Sequence, residues 1–537
     1  MNKLRRSAVN SALICLAAIL MMTGCHANDK KKPEDEGIPA WQKYAGDEVT
    51  LSWYVHFSWF STAWGDNLVA RTITEETGVT IEFVPATGNE GEKLAAMISS
   101  NTLPDLITIG FWEPHIEQLI NEGLVFPLNE LAEEYDIYFM EAANPQRLSW
   151  YTRDDGNVYA YPNSSYTPHD YEENSNIGSN QSFLVRADIY EAIGRPDMTT
   201  PEGFKQAIRD AYAYMPTVDG KPLLAIGLSE FNPGGNHSLD EILMNFLAIP
   251  FEKNGEMYDR ITDTDYLRWL KTLRELHEEG YITSELFIDR RVQMAEKVAE
   301  GRYFCMLYQH TDIADQQSYL FDNNPNGTYI AINGPMNENR DPHKLPGTGI
   351  NGWTVTMISK SCRVPERAIA LMSYMMSEHG QKILYCGVEG ITYDTDSEGR
   401  PVLRSEILDL LSRDRGEYNR LYGADNTYWM LQDNAMQIKW QQVPQPPLAQ
   451  PREWTYPYTA YILEYDVNIT EPEAMDASWR IKNEWGGTLP LLLTAPTEEE
   501  FDRLLDAFVE RRGELGYDIF VEEWTRLVAE AKRRLNL

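Results

Sequence analysis

The chain has 537 residues and a formal net charge of −35 at pH 7, with 82 Asp and Glu against 47 Lys and Arg. A surface of this sign repels the phosphates of nucleic acids, so we expect no nucleic-acid partner. The length is sufficient for two or three domains, and no apolar run after the amino-terminal segment approaches the ~20 residues that span a bilayer.

The amino-terminal segment has the pattern of an export signal. Three basic residues precede an unbroken apolar run at 12–22, which is too short to span a bilayer but typical of a secretory signal. Thr23 and Gly24 then come directly before Cys25, an order that resembles the lipobox of bacterial lipoproteins. We interpret residues 1–24 as a cleaved signal and Cys25 as the lipidated amino terminus. An ordinary signal peptide that contains a cysteine is the alternative.

A polar and charged segment, 25–47, follows the signal. It has too few apolar residues to form a core, and we predict that it is a disordered tether. The predicted location is therefore the extracytoplasmic face of the cell membrane, with the body of the protein attached through the lipid.

The first part of the body alternates strands and helices. The residue patterns predict strands at 49–55, 79–84 and 104–109, and helices at 67–76, 91–100, 115–121 and 128–135. Gly78 is positioned to end the first of these helices. This alternation is typical of an α/β fold with a parallel sheet covered on both faces.

A second α/β region begins near Tyr161. It contains predicted strands at 183–185 and 303–308, and predicted helices at 200–214, 265–279 and 293–300. A segment rich in Gly, Pro and Asn, 333–352, separates this region from a strand at 353–358 and a helix at 365–377. The tail is predicted to be helical, with a capping box at 497–500.

Several short motifs, taken in order, resemble one protein family. They are LPDLI at 103–107, LINEGLVFPLNEL at 119–131, DGNVYAYP at 155–162, ISK at 358–360 with PERA at 365–368, and GVEGITY at 387–393. Together they resemble the family 1 extracellular solute-binding proteins of ABC importers, and especially the LipO-type lipoproteins. The calcium loop of many LipO-type members is not matched, because residues 215–223 (MPTVDGKPL) lack its acidic ladder.

The resemblance implies an α/β, two-lobed, periplasmic-binding-protein-like (class II) fold with crossing hinge strands and a helical carboxy-terminal extension. The first lobe is then expected at 48–160 plus 335–395, and the second at 161–334 plus 396–537. The resemblance also implies a monomeric receptor without catalytic activity or cofactor. Its partners would be a small-molecule solute, expected to be an oligosaccharide, and an ABC permease in the membrane.

Candidate ligand contacts are flat aromatic side chains at predicted strand ends, since such rings suit the faces of sugars. The segments 56–64, 110–113 and 351–353 have that composition. From these segments, from a later strand end and from the matched motifs, we select Trp59, Trp64, Asp105, Trp112, Tyr308, Trp353, Glu389 and Tyr393. Core packing is the alternative for each aromatic residue.

Other chemistry finds less support in the sequence. The loops that begin at Asp322 and Asp394 match the first half of a calcium-binding loop but lack its final Glu, so we interpret them as turns and predict no metal site. Cys305, Cys362 and Cys386 are expected to be free buried thiols, with a Cys362–Cys386 bridge left open. Two functional alternatives remain, namely a receptor for a peptide or other solute and a surface glycoside hydrolase with paired carboxylates.

Overall fold

The structure is a computed structural model that describes residues 38–441 and 446–537. The predicted signal, Cys25 and the first part of the predicted tether lie outside the described residues. Within the described part, Ala40–Lys43 is a helix rather than unstructured chain. Ala40 donates its backbone N–H to Asp136, and Trp41 packs edge-on against Tyr374, with ring centroids 5.0 Å apart. The predicted tether is therefore too long at its carboxyl end, because Trp41 is buried in the first lobe.

Nine strands form the two main sheets. In chain order they are β1 (Val49–Val55), β2 (Val79–Pro85), β3 (Leu106–Gly110), β4 (Tyr161–Pro162), β5 (Gln181–Arg186), β6 (Leu224–Gly227), β7 (Tyr303–Gln309), β8 (Tyr329–Ala331) and β9 (Thr354–Ile358). Each sheet is the centre of one lobe.

The first sheet has the strand order β2-β1-β3-β9-β4. Strands β1, β2 and β3 run parallel, as predicted, whereas β9 is antiparallel to β3 and β4 is antiparallel to β9. The predicted parallel arrangement thus holds for every strand except β9, where the chain returns to the lobe and runs against the other four strands. The helices of this part are Leu68–Thr77, Glu90–Ser100, His115–Asn121, Leu128–Tyr135, Tyr138–Ala142, Pro145–Tyr151, Pro365–Met376 and Glu378–Cys386.

Local signals account for where several helices begin and end. Asn67 accepts a hydrogen bond from the backbone N–H of Ala70, which starts the helix Leu68–Thr77. Gly78 ends that helix in the left-handed region, with a φ of 70° that favours glycine. Thr200 caps the helix Pro201–Tyr214 in the predicted manner.

The second sheet has the strand order β8-β5-β7-β6. Strands β6 and β7 are parallel, and β5 is antiparallel to both β7 and β8. The helices around it are Pro168–Glu173, Ala187–Ala192, Pro201–Tyr214, Thr264–Glu278, Glu285–Ile288, Arg291–Ala299 and Ala314–Asn323, with a π-helical turn at Ser238–Leu243 that continues into Met244–Phe246.

The chain after β9 does not follow the predicted division between lobes. Residues 403–440 contribute Ile407, Tyr418 and Tyr428 to the core around the first sheet, although the predicted boundary assigns them to the second lobe. Conversely, Leu345 is buried in the second core, although 335–395 was assigned to the first lobe. The apolar faces of the helices Ser405–Arg413 and Arg415–Leu421 decide this, since they complete the first core.

The carboxy-terminal part is helical, as predicted. Three helices, Pro472–Leu493, Glu498–Glu514 and Tyr517–Leu535, follow one another and pack mainly on the second core. They are preceded by shorter helical segments, including Asn434–Gln437 and Pro446–Thr455. None of the helices within 38–441 and 446–537 combines the length and the apolar character that crossing a bilayer requires.

The cysteines of the described chain are free thiols. Cys305, Cys362 and Cys386 are all buried, and no bridge joins Cys362 to Cys386. Burial raises the pKa of the Cys362 and Cys386 thiols to about 12 and raises that of the Cys305 thiol well above its usual range. The prediction of buried free thiols is confirmed.

Candidate functional site

One edge of the first sheet collects the loops that face the second lobe. Strands β1 and β3 end at this edge, and the antiparallel β9 begins there. The carboxyl ends of parallel strands are the usual place for ligand-binding loops in α/β folds. The loop after β3 is also joined to the start of β9, since the backbone N–H of Phe111 donates to the carbonyl of Trp353 at 3.3 Å.

A cavity of about 1,080 Å³ lies between the two lobes beside this edge. Its first-lobe wall includes Phe111, Trp112 and Trp150, and its second-lobe wall includes residues from 234–261 and from the last three helices. Residues of the crossing segments, Asn351 and Asp466, also line it. This volume is at the upper end of the usual range for small-molecule sites and is sufficient for several sugar rings.

Four aromatic rings form a continuous group at the same edge, which we call the aromatic platform: Phe57, Trp59, Trp353 and Trp429. The rings of Trp59 and Trp353 are nearly parallel, with an interplanar angle of 11° and centroids 6.0 Å apart. Trp353 also contacts Phe57 at 5.1 Å and Trp429 at 4.6 Å. Trp59 is 54% exposed, so an apolar ring face remains available to a ligand.

Three of the predicted contact residues are therefore brought to this region. Trp59 and Trp353 belong to the aromatic platform, and Trp112 lines the cavity with 44% of its surface exposed. The signal that identified them was the position of each aromatic residue directly after or before a strand.

Three other predicted residues have structural roles instead. Trp64 is buried, donates from Nε1 to Thr74 at 3.0 Å and packs on Tyr428. Asp105 precedes β3, at the end of that strand away from the cavity, and accepts hydrogen bonds from the backbone N–H and the hydroxyl of Ser52. Tyr308 is buried in the second lobe within a cluster of apolar side chains.

The predicted residues Glu389 and Tyr393 lie in the first lobe, and neither lines the cavity. Tyr393 is buried in the first core, where it pairs with Leu403 in a short hairpin. Glu389 is exposed and accepts a hydrogen bond from the hydroxyl of Thr395 at 2.5 Å. The GVEGITY motif thus forms a turn of the first lobe.

A carboxylate at the crossing, Asp466, has a cluster of donors around it. It accepts hydrogen bonds from the backbone N–H groups of Ile350 and Asn351 and from the hydroxyl of Tyr461, at 3.2, 2.8 and 2.7 Å. Burial raises its pKa to about 6, although these donors oppose the shift. Asn351 accepts a hydrogen bond from Trp150 Nε1 at 2.7 Å, so the crossing chains are linked directly to the first-lobe wall.

A second carboxylate, Asp240, lines the cavity from the second lobe. It accepts hydrogen bonds from Trp485 Nε1 at 2.8 Å, from the backbone N–H of Asn236 at 2.6 Å and from the hydroxyl of Tyr266 at 3.2 Å. Its pKa is also raised to about 6 by burial. A carboxylate beside an indole is a suitable acceptor for sugar hydroxyl groups.

The last helix, Tyr517–Leu535, spans the distance between the lobes. Trp524 and Phe520 line the cavity, and Arg534 donates to the backbone carbonyls of Ser149, at 3.2 Å, and Trp150. The guanidinium also lies over the indole of Trp150, 4.7 Å from its centroid. The helix therefore contacts the first lobe directly.

Sequence reasoning missed Asp240, Asp466 and most of the carboxy-terminal wall. The partners of Asp240 are far from it in sequence, since Trp485 is 245 positions away. Of the carboxy-terminal tryptophans, Trp429 belongs to the platform, whereas Trp479 and Trp485 line the cavity.

The chain is similar to known proteins in sequence as well as in structure. A family model described as bacterial extracellular solute-binding protein matches residues 69–392. The fructooligosaccharide ABC transporter substrate-binding protein FusA of Streptococcus pneumoniae is 20% identical over 303 residues. That alignment covers 52% of this chain and 53% of FusA, so the match spans about half of the relative's length.

Solved structures share the architecture over nearly the whole chain. Alginate-binding protein AlgQ2 superposes with a TM-score of 0.67 at 17% identity, covering 90% of this chain and 99% of that one. FusA in complex with kestose gives 0.68 at 14% identity, with 90% and 100% covered. The N-glycan transport protein NgtS of Streptococcus pneumoniae gives 0.58 at 15% identity, with 90% and 99% covered. The predicted two-lobed α/β fold is confirmed.

Proposed function

This chain belongs to the bacterial extracellular solute-binding proteins, and we propose that it is the lipid-anchored receptor of an ABC importer, capturing an oligosaccharide in the cavity between its lobes. Membership of the family agrees with the sequence motifs and implies an extracytoplasmic location. The permease, the class of solute and the lipid anchor are parts of the proposal.

The single observation that carries the proposal is the exposed aromatic platform next to the large cavity between the lobes, whose wall it joins at Phe111. Stacked indole rings offer flat apolar faces, and the nearby carboxylates Asp240 and Asp466 offer acceptors for hydroxyl groups. Sugars need both, because each ring has an apolar face and a polar rim. A receptor for aliphatic peptides would be expected to carry an aliphatic groove instead.

The related proteins support the same class of solute. FusA was solved in complex with kestose and NgtS in complex with Man5GlcNAc, and AlgQ2 is an alginate-binding protein. These ligands are those of the relatives, which are at most 20% identical to this chain. They favour an oligosaccharide over other solutes without identifying its units.

In the proposed mechanism the lobes close on the sugar about the crossing segments. The sugar stacks on the first lobe, hydrogen-bonds to Asp240 on the second, and so stabilises the closed arrangement that the permease recognises. No covalent step is required. One copy of the chain carries both walls of the cavity, which is consistent with a monomer.

A thermal-shift screen tests the proposal. A ligand that binds only the folded protein raises its free energy of unfolding, by about 2.7 kcal/mol at a ligand concentration of a hundred times Kd. The melting temperature rises with it. We expect a shift with at least one oligosaccharide and recovery of that sugar uncleaved after prolonged incubation. A shift with peptides but with no sugar would sink the carbohydrate assignment, and release of shorter sugars would favour the hydrolase alternative.

A further inference from the structure

Three of the six cations in the cavity wall are neutralised by carboxylates of the protein itself. Arg153 is paired with Glu117, Arg512 with Asp259, and Arg526 with Glu523 and Glu530. Arg534 is held by two backbone carbonyls. These side chains have little capacity left for a ligand, and their partners explain their positions.

Arg260 is different, because it is a buried cation without a carboxylate partner among the described residues. It is 9% exposed, lines the cavity, donates to the neutral amide of Asn245 at 2.8 Å and also interacts with the hydroxyl of Tyr465. The guanidinium lies over the ring of Phe251 at 3.9 Å, and its Nε has no hydrogen-bond partner. Since a buried charge is costly unless it is paired, this arrangement leaves a place for an external anion.

Lys482 is a second cation of the cavity wall without a carboxylate partner. It forms neither an ion pair nor a hydrogen bond with the described residues, and its ammonium group lies 5.8 Å from the ring centroid of Trp479. Desolvation lowers the pKa of its ammonium group, although Glu241 opposes the shift. Glu241 also acts to raise the pKa of Arg260. The two cations therefore lie near the same carboxylate, but neither forms an ion pair or a hydrogen bond with it.

The carboxylates of the cavity do not supply the missing charge. Asp240 and Asp466 each accept three hydrogen bonds from neutral donors, and no Arg or Lys side chain bonds to either. Glu113 and Asp154 also line the cavity, but neither forms an ion pair with Arg260 or Lys482 among the described residues. The lack of such a pair is notable in a chain with a net charge of −35, where carboxylates are available in excess.

We propose that Arg260 and Lys482 form an anion subsite for a carboxylate on the solute, so that the captured sugar is an acidic, uronate-bearing oligosaccharide. The inference rests on the proposed function and specifies its ligand. A guanidinium fork and an ammonium group are the donors that bind carboxylates most strongly, through charge-assisted hydrogen bonds. The aromatic platform then holds the ring faces while the subsite selects the charged unit.

The test compares matched sugars. Oligogalacturonates, oligoglucuronates and oligomannuronates of two to six units are each paired with the same oligomers after reduction of their carboxyl groups to alcohols. Calorimetry on the soluble body, 38–537, measures both members of each pair. We expect at least one acidic member to bind about tenfold to a hundredfold more tightly than its reduced partner, the effect of losing a charged hydrogen bond.

Lys482→Met isolates the subsite. Its affinity for the acidic sugar should fall about tenfold or more, while its affinity for the reduced sugar stays unchanged. Its melting temperature without ligand should change little, because the ammonium group that it loses forms no ion pair or hydrogen bond and makes only a 5.8 Å contact with the ring of Trp479. Lys271→Met removes the same charge from the same lobe, where Lys271 is paired with Glu498 and Asp502, and should leave both affinities unchanged.

Arg260→Met provides a second variant. Its sugar affinities are interpreted only if its thermal unfolding remains cooperative. The outcomes separate the two proposals. Tight binding of reduced or neutral sugars without preference for the acidic ones overturns the anion subsite and leaves the sugar receptor intact. A preference that persists in Lys482→Met and Arg260→Met also overturns it. Failure of every sugar in both sets overturns the proposed function as well.

Discussion

Trp59 is the side chain of the aromatic platform that is most available to a ligand. Trp59→Ala removes one face of the stack with Trp353, and we expect about a tenfold loss of sugar affinity, since aromatic contacts contribute up to ~1.5 kcal/mol. Stability without ligand should change by no more than about 0.5 kcal/mol, as for other exposed positions. Calorimetry and thermal melting measure the two effects separately.

Tyr214→Ala is the matched control for that substitution. Tyr214 is 55% exposed, as Trp59 is 54% exposed, but it lies on the second lobe outside the cavity. Sugar affinity should not change in this variant. Equal losses in the two variants would argue against a role for the platform.

Asp240 gives the molecule a pH dependence of stability. Its pKa is raised from 3.8 to about 6, so between these values the folded protein holds a proton that the unfolded chain has released. The free energy of unfolding must therefore fall as pH rises through this window. Relative to Asp240→Asn, which does not titrate, the wild type should lose up to about 3 kcal/mol between pH 4 and 7, at ~1.4 kcal/mol per pKa unit.

Urea unfolding of both proteins at several pH values across the window measures this difference. Comparison with the variant is essential, because many of the 82 acidic residues also titrate in this range. Below about pH 4 the two curves should run parallel, since Asp240 is then protonated in both states. A difference that grows in the opposite direction would contradict the assigned burial of this carboxylate.

At the scale of elements, the helix Tyr517–Leu535 is expected to favour the closed arrangement of the lobes. Arg534→Ala removes its hydrogen bonds and its cation–π contact with Trp150, while the apolar face around Trp524 and Val528 stays packed. We expect a larger radius of gyration without ligand and about a threefold to tenfold loss of affinity, as for an exposed cation–π contact and its hydrogen bonds. Small-angle scattering and calorimetry check the two parts.

Arg533→Ala is the appropriate comparison, since Arg533 is exposed on the same helix and its side chain forms no hydrogen bond or ion pair with the described residues of the first lobe. It removes the same charge from the neighbouring position. Scattering curves that coincide for the two variants would mean that the contact with Trp150 does not influence the arrangement of the lobes.

The elements also explain what the sequence was able to predict. The strands β1, β2 and β3 and the capped helices follow from local periodicity, Asn67 and Gly78, because caps and alternation are properties of neighbouring residues. The reversed direction of β9 depends on where the chain returns to the first lobe, which no local pattern contains. The division of the later chain failed for the same reason.

The residues of the candidate site also differ in whether a local sequence pattern identifies them. Trp59 and Trp353 were found because strand ends are visible in the sequence, and the sheet brings those ends together. Trp64 belongs to the same aromatic-rich segment as Trp59, but its side chain is buried in the core of the first lobe. Asp240 and Asp466 become recognisable only when Trp485 and Asn351 are beside them, which requires the tertiary fold.

At the scale of the whole molecule, the proposed anchor at Cys25 is expected to keep the receptor beside its permease. When it is expressed in a bacterial host, Cys25→Ala should no longer be found in the membrane fraction and should no longer incorporate labelled palmitate. The reason is that the thioether between the lipid and this cysteine cannot form. Cell fractionation and labelling measure this. Cys15→Ala changes a cysteine inside the predicted signal and should retain both properties. Membrane retention of Cys25→Ala would show that another feature attaches the chain.

The three buried thiols have a practical consequence for studying closure. Only a thiolate reacts readily with maleimide dyes, and burial together with raised pKa values protects Cys305, Cys362 and Cys386. A chain that lacks residues 1–25 therefore contains only these three protected thiols, and its background reaction with the dyes should be low. A cysteine introduced on each lobe would accept a donor and an acceptor fluorophore, converting the receptor into a ratiometric sensor that reports its own ligand.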